Sequence, residues 1–244
     1  MQGTKEIKRR IKSVKSTIPS SRNQNFATGQ GKITKAMELV AASKMKQKFQ
    51  NSFAESKIPT RYGDFRILAY RVDDLDHAVL VLGNISSSPV LPVLVRIHSQ
   101  CLTGDVFESK RCDCREQLTL SFEKISLAGR GIILYLNQEG RGIGLLNKIK
   151  AYSLQDQGLD TVVANECLGL PVDGRDYKVA VKILKHLKVG TINLLTNNPD
   201  KIKAFKKTGI VANRIPLEVK PNPKNYHYLL TKKRRLNHLI CLQE

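Results

Sequence analysis

The sequence predicts a mixed α+β fold with a basic helical arm in front of it. Three observations carry this. Short apolar runs of strand length, FRILAY, HAVLVLG, PVLVRIHS, GIILYLN and TINLLT, recur after Pro59. Between the later runs lie stretches of helical period at 116–128, 145–157 and 175–188. Ahead of them, residues 1–60 hold 13 Lys and Arg against 3 Asp and Glu, half of the chain's net charge of +20.

The arm is expected over residues 1–50. Ile7, Ile11 and Val14 make one apolar stripe of a helix over 4–16. PSSRNQNFATGQG is polar, with Pro and Gly, and reads as a loop or disordered insert. Residues 32–49 return to helical period, with Ile33, Met37, Val40 and Ala41 on one face. Both helices are amphipathic and need a partner surface. The mixed domain follows from about 57 to 220, then a basic tail ending in a short helix. No internal repeat is present.

Composition narrows the function classes. Apolar residues make up 41% of the chain, enough for a sizeable core. No apolar run reaches eighteen residues, so no membrane span is expected. The N-terminus is basic but has no apolar stretch of the kind a secretory signal needs. The five cysteines are therefore expected in a reducing compartment, where clustering favours metal or catalytic roles over disulfides. The cytoplasm is the expected location, with organelle targeting by the basic N-terminus left open. The positive charge points to an anionic partner or to a solvated basic helix. Aromatics are sparse in the arm, which argues against stacking on single-stranded nucleic acid.

Three of the five cysteines crowd into CLTGDVFESKRCDC. Cys112 and Cys114 are two apart and face one way in an extended segment; Cys101 can return to the same point. Three thiolates around Zn²⁺ leave a fourth tetrahedral position open, as in catalytic sites. His98 could close the site as Cys3His, or the cysteines could be unrelated.

Two strand-to-helix junctions and one charged pair complete the candidates. In NQEGRGIGLLNK, Gly140, Gly142 and Gly144 let backbone N–H groups approach an anion, and Arg141 adds a charged fork. In LLTNNPDKIKAF, Asn198 and Pro199 suit a helix start, with Thr196 and Lys201 beside it. Each is also compatible with an ordinary turn or cap. In LPVDGRDY, Asp173 and Arg175 stand two apart, as surface pairs often do.

Together the stretches IPTRYGDFRILAYR, VRIHSQCLTGDVFESKRCDC, LYLNQEGRGIGLLNKIKAYSLQDQGLDTVVAN, LGLPVDGRDY, LLTNNPDK and NPKNYHYLLTKK resemble GTP cyclohydrolase II over about residues 57–240. The resemblance implies an α+β mixed-sheet domain, a homodimer, one Zn²⁺ per subunit and Mg²⁺ with the triphosphate. It implies hydrolysis of GTP to 2,5-diamino-6-ribosylamino-4(3H)-pyrimidinone 5′-phosphate, formate and diphosphate, the first step of riboflavin biosynthesis. Cys101, Cys112 and Cys114 match the zinc ligands. GTP contacts map onto Arg96, Ile97, His98, Ser99, Gln100, Gln117, Glu139, Gly140, Arg141, Thr161, Thr196 and Lys201. Arg96, Arg141 and Lys201 would neutralise triphosphate charge.

Asp173 matches the family's proton acceptor, Arg175 its nucleophile toward the α-phosphate, and Tyr152 an active-site tyrosine. A guanidinium is a poor nucleophile, so electrostatic stabilisation is the plainer role for Arg175. Gln100 stands where the family often has Glu. Arg115 stands where Gly is common, and would strain the metal loop if that position needs φ > 0.

The arm is similar to something else. TKEIKRRIKSVKST and GKITKAMELVAASKMK, over about 4–48, resemble the start of the ATP synthase gamma subunit. The polar insert between them and the lack of a matching C-terminal helix predict that the arm does not act as a rotor. The dihydroxybutanone phosphate synthase often fused upstream is expected to be absent. The expected partners are GTP and a second copy of the chain, without nucleic acid or membrane. The alternatives are an inactive zinc- and GTP-binding relic and an ATP synthase-associated protein.

Overall fold

The computed structural model describes residues 53–85 and 91–242. The expected arm at residues 1–50 lies outside the described residues. Seven strands among them form one sheet in the order β1-β2-β3-β5-β4-β6-β7. Strands β1 (Phe53–Thr60), β2 (Gly63–Val72) and β3 (Leu75–Leu82) are an antiparallel meander. The β2–β3 turn places Asp73 and Asp74 at φ 50° and 61°, the left-handed pair that a two-residue hairpin turn of matching twist requires. Along β2, Leu68, Tyr70 and Val72 are buried while Ala69 and Arg71 between them are exposed, the alternation of a strand with one covered face.

Strand β3 pairs antiparallel with β5 (Gly131–Leu136), and the sheet then becomes parallel through β4 (Val93–Ser99), β6 (Thr191–Leu195) and β7 (Val211–Ile215). Parallel strands are covered on both faces and read as continuous apolar runs. Accordingly Ile132, Ile133, Leu134 and Leu136 of β5, Val95 and Ile97 of β4, and Ile192 and Leu194 of β6 are all fully buried. A side chain at Gly131 would sit 2.7 Å from the Leu94 carbonyl oxygen, which is why β5 starts on glycine.

The helices are α1 (Leu102–Asp105), α2 (Cys114–Leu127), α3 (Gly144–Asp156), α4 (Thr161–Cys167), α5 (Lys178–His186), α6 (Pro199–Lys203) and α7 (Tyr226–Arg235). A 3-10 turn spans Glu139–Gly142. Asp160 caps α4 by accepting from the N–H groups of Val162 and Val163, and Asn198 caps α6 by accepting from Asp200 N. The expected helices at 116–128 and 145–157 start within two residues of α2 and α3. The one expected at 175–188 is shorter, because Asp173 and Arg175 hold the chain before α5 in an irregular loop. Helix α4 and edge strand β7 were not anticipated. No helix among the described residues is long and apolar enough to cross a membrane.

Topology places the chemistry. The carboxyl ends of β4, β5 and β6 open on one edge, where ligands of open α/β sheets gather. There β4 delivers Ser99 to Cys101, β5 delivers Asn137 to Arg141, and β6 delivers Thr196 to Asn198.

Candidate active site

Cys101 leaves β4 as the N-cap of α1, and Cys114 opens α2. With Cys112 they bring three sulfurs within 4.8 Å of one another. Gly104 makes this possible: a Cβ there would stand 2.8 Å from Cys112 Sγ and 3.1 Å from Cys101 Sγ. Asp105 fixes the loop from behind, accepting from Cys101 N at 2.9 Å and from the Tyr135 hydroxyl at 2.8 Å. It also receives His98 Nε2 at 2.9 Å, while His98 Nδ1 faces Arg96. His98 is thus spent on the protein, and the closed Cys3His option does not form. The three thiols, Cys101 and Cys112 buried, Cys114 partly so, all line the cleft, and such a set suits a tetrahedral ion such as zinc.

Hydrogen bonds from Cys112 and Cys114 hold Cys101 far below the ordinary thiol range, and Lys148 adds to this with Nζ 3.1 Å from Cys101 Sγ. The Cys101 thiolate in turn pushes Cys112 up to about 11. Arg115 does not sit at positive φ: it is in the first turn of α2. Its guanidinium clasps the loop, bonding the Asp105 carbonyl and pairing with Glu108 at 3.1 Å. The expected strain is absent because the position is helical.

The 3-10 turn is the second wall. Glu139 is buried and accepts from Leu102 N at 2.6 Å, Gly140 N at 2.9 Å and Lys148 Nζ at 2.7 Å. Gly140 and Arg141 both adopt φ 60°, so Arg141 takes a left-handed conformation unusual for its type. A side chain at Gly142 would come within 2.9 Å of the Gly174 carbonyl oxygen, so this glycine lets the turn dock on the Asp173–Arg175 loop. The dock is closed by Gly174 N donating to the Arg141 carbonyl at 3.0 Å.

The third wall is cationic. Arg96 is buried, donates from NH1 to the Leu195 carbonyl at 3.0 Å and from NH2 to Gln117 Oε1, and is pushed down to about 10 by burial. Lys201 Nζ donates to the Ile97 carbonyl at 2.7 Å. Burial, then the neighbouring Arg96, Arg175 and Lys232, hold Lys201 well below the ordinary lysine range. Both guanidinium NH2 groups of Arg141 are buried without a hydrogen-bond partner, the guanidinium lying 5.7 Å from the centre of the Tyr228 ring. Among the described residues none of Arg96, Arg141 and Lys201 pairs with a carboxylate. Uncompensated buried cations of this kind are poised for a polyanion.

The family model for GTP cyclohydrolase II matches residues 51–216. The chain belongs to the GTP cyclohydrolase II family. It is 52% identical to a GTP cyclohydrolase-2 of Aeromonas hydrophila, over 77% of this chain and 95% of that one. It is 50% identical to a GTP cyclohydrolase-2 of Neisseria meningitidis, over 78% of this chain and 96% of that one. A riboflavin biosynthesis protein RibBA of Chlorobium phaeovibrioides is 47% identical over 86% of this chain, which spans about half (51%) of that protein. The likeness of residues 4–48 to the ATP synthase gamma subunit finds no support in these comparisons, and those residues lie outside the described ones.

The cleft of this GTP cyclohydrolase II domain gathers Arg96, His98, Ser99, Gln100, Gln117, Glu139, Gly140, Arg141, Tyr152, Arg175, Thr196 and Lys201 around the three cysteines. Three expected residues stand elsewhere. The Ile97 side chain is in the core, and only its carbonyl serves the site by holding Lys201. Thr161 lines an adjoining cavity that shares Arg141 and Tyr152. Asp173 backs Arg175, accepting from its Nε at 2.8 Å. Burial works against the Arg175 charge, but the Asp173 bond outweighs it and holds the guanidinium above its ordinary value. Sequence reasoning missed Lys148 and the C-terminal group Tyr228, Lys232 and His238, which also line the cleft. Tyr228 and Lys232 lie in the NPKNYHYLLTKK stretch and Lys148 in NQEGRGIGLLNK, both matched to the family but with no role given to these residues; His238 lies outside every matched stretch.

Proposed function

We propose that this chain hydrolyses GTP to 2,5-diamino-6-ribosylamino-4(3H)-pyrimidinone 5′-phosphate, formate and diphosphate, opening riboflavin biosynthesis. One observation carries the reading: a three-sulfur metal site shares one cleft with three cations that have no carboxylate partner. Cys101, Cys112 and Cys114 would hold zinc, which when bound supplies a Lewis acid that lowers the pKa of water for attack at C8 of guanine. Magnesium would enter with the triphosphate.

The chain's own groups do the rest. Arg96, Arg141 and Lys201 bind the triphosphate. Arg175, kept charged by Asp173, stabilises charge developing at the α-phosphate, a better role for so basic a group than nucleophile. Tyr152, its hydroxyl 3.5 Å from Thr103 Oγ1, is pushed up to about 12 by burial and so stays a donor toward the opened ring. Glu139 ties the metal loop to Lys148 and leaves the Gly140–Arg141 backbone facing the substrate. The enzyme is expected to work as a homodimer in the cytoplasm, where the cysteines stay reduced.

Mass spectrometry of zinc-quantified protein incubated with GTP and Mg²⁺ tests this. Formate, diphosphate and the diaminopyrimidinone are expected. GTP bound but unchanged would make the chain a relic. Neither binding nor turnover, with ATP synthase subunits captured instead, would move the function to the arm.

Nucleotide binding is further expected to take up protons. The fold lowers the Lys201 pKa, so at alkaline pH the free enzyme has lost a proton that the bound triphosphate restores. Affinity for GTP therefore falls as pH rises. Calorimetric titrations in buffers of different ionisation heat should read an uptake of up to about one proton. Lys201→Met should abolish the uptake; an unchanged uptake would take Lys201 out of the phosphate site.

A further inference from the structure

The segment from Asn225 to Ile240 lies past residue 216, where the family model ends, yet it closes one side of the cleft. Its attachment is specific. Lys232 of α7 is buried, and its Nζ donates to Asp113 Oδ1 at 2.6 Å. Asp113 stands between two of the three cysteines, and its other oxygen accepts from Gln117 Nε2. Gln117 Oε1 accepts in turn from Arg96 NH2. Two more bonds seat the segment: Asn225 Nδ2 to the Cys112 carbonyl at 3.4 Å, and Leu239 N to the Asn197 carbonyl at 2.8 Å.

An unbroken chain of bonds thus runs from Lys232 through Asp113 and Gln117 to Arg96. Away from water such a network holds its geometry tightly, and each member depends on the next. Three contacts fix the Arg96 guanidinium, to the Leu195 carbonyl, to Gln117 and, at 3.5 Å, to His98 Nδ1, and the Gln117 contact, the shortest of them, depends on this chain. Its Nε is buried with no partner in the protein.

We infer that Lys232 is a positioning residue for nucleotide binding: it holds Asp113 and Gln117 in the rotamers that present Arg96 to the triphosphate. The inference rests on GTP occupying the cleft, as proposed above. A lysine that looks like tail charge in the sequence is then part of the phosphate site without touching phosphate.

A double-mutant cycle on the full zinc-loaded chain tests it, with Lys232→Met, Gln117→Leu and the pair. The readouts are binding of a non-hydrolysable GTP analogue and the split between KM and kcat. Lys232→Met is expected to weaken analogue binding and raise KM roughly tenfold, but less than about threefold in the Gln117→Leu background. Lys232→Arg, which can still donate to Asp113, is expected to recover binding. Equal penalties in both backgrounds would overturn the inference, because Lys232 would then act independently of Gln117. An unchanged KM would overturn it too. Should Lys232→Met not fold, since it leaves Asp113 buried and unpaired, Lys232→Gln carries the same cycle. Wild-type enzyme that binds the analogue but makes no formate would defeat the catalytic reading alone, and the cycle would still decide this one.

Discussion

Replacing Cys112 with serine is expected to end formate release from GTP, lowering kcat/KM at least about a thousandfold, or near 4 kcal/mol of barrier. Cys112 is buried, with its sulfur 3.8 Å from that of Cys101, in a group whose three ligand atoms span no more than 4.8 Å. A serine oxygen is harder, sits closer to its own Cβ and ionises far less readily than a thiol, so zinc would lose one of three anchors. Zinc content measured beside product formation separates lost metal from lost chemistry. Nucleotide binding through Arg96, Arg141 and Lys201 should survive, since those cations belong to other walls of the cleft. Formate production at a tenth of the wild-type rate or better would remove Cys112 from the site.

Gly104→Ala is expected to act almost as strongly while touching no ligand. The backbone there is helical, so alanine is conformationally acceptable. Space is the constraint. The new methyl would lie 2.8 Å from Cys112 Sγ, 3.1 Å from Cys101 Sγ and 3.1 Å from Cys114 Cβ, closer to all three cysteines at once than packed atoms stand. Sulfur positions would have to spread, and tetrahedral ligation tolerates departures of only about 0.2 Å. Competition against a chromophoric chelator should show zinc affinity reduced roughly tenfold to a hundredfold, the range seen when support around a ligand is lost. Turnover should fall with it and recover in part at high zinc. Unchanged affinity would mean that α1 moves freely, against the hold of Asp105 on Cys101 N, Tyr135 and His98.

Much of this was legible in the sequence, for reasons that differ by element. Strands β4, β5 and β6 announced themselves because a parallel sheet covered on both faces demands unbroken apolar runs. Strand β7 did not: it is an edge, and its residues are only partly covered, so Val211–Ile215 carries no clear period. The α6 start was plain from Asn198 and Pro199, since capping chemistry is local. The Arg115 question turned on a backbone angle, which residue type alone does not set; the helix that begins at Cys114 answered it.

The site divides the same way. The cysteine spacing offered a three-sulfur centre as one of its readings, and the roles of Arg96, Arg141, Lys201, Asp173 and Arg175 came from the family resemblance, not from any one motif. Tertiary structure alone decided which of these meet and which stand back. It removed His98 from the metal by giving its ring to Asp105. It sent the Ile97 side chain into the core and turned only the carbonyl toward Lys201. It brought Lys232 across 119 positions of chain to Asp113, so that a tail lysine became part of the cleft. The physical reason is one of range. Spacing, capping and periodicity are properties of neighbours along the chain, whereas the partner of a buried charge is whatever the fold carries within about 3 Å of it.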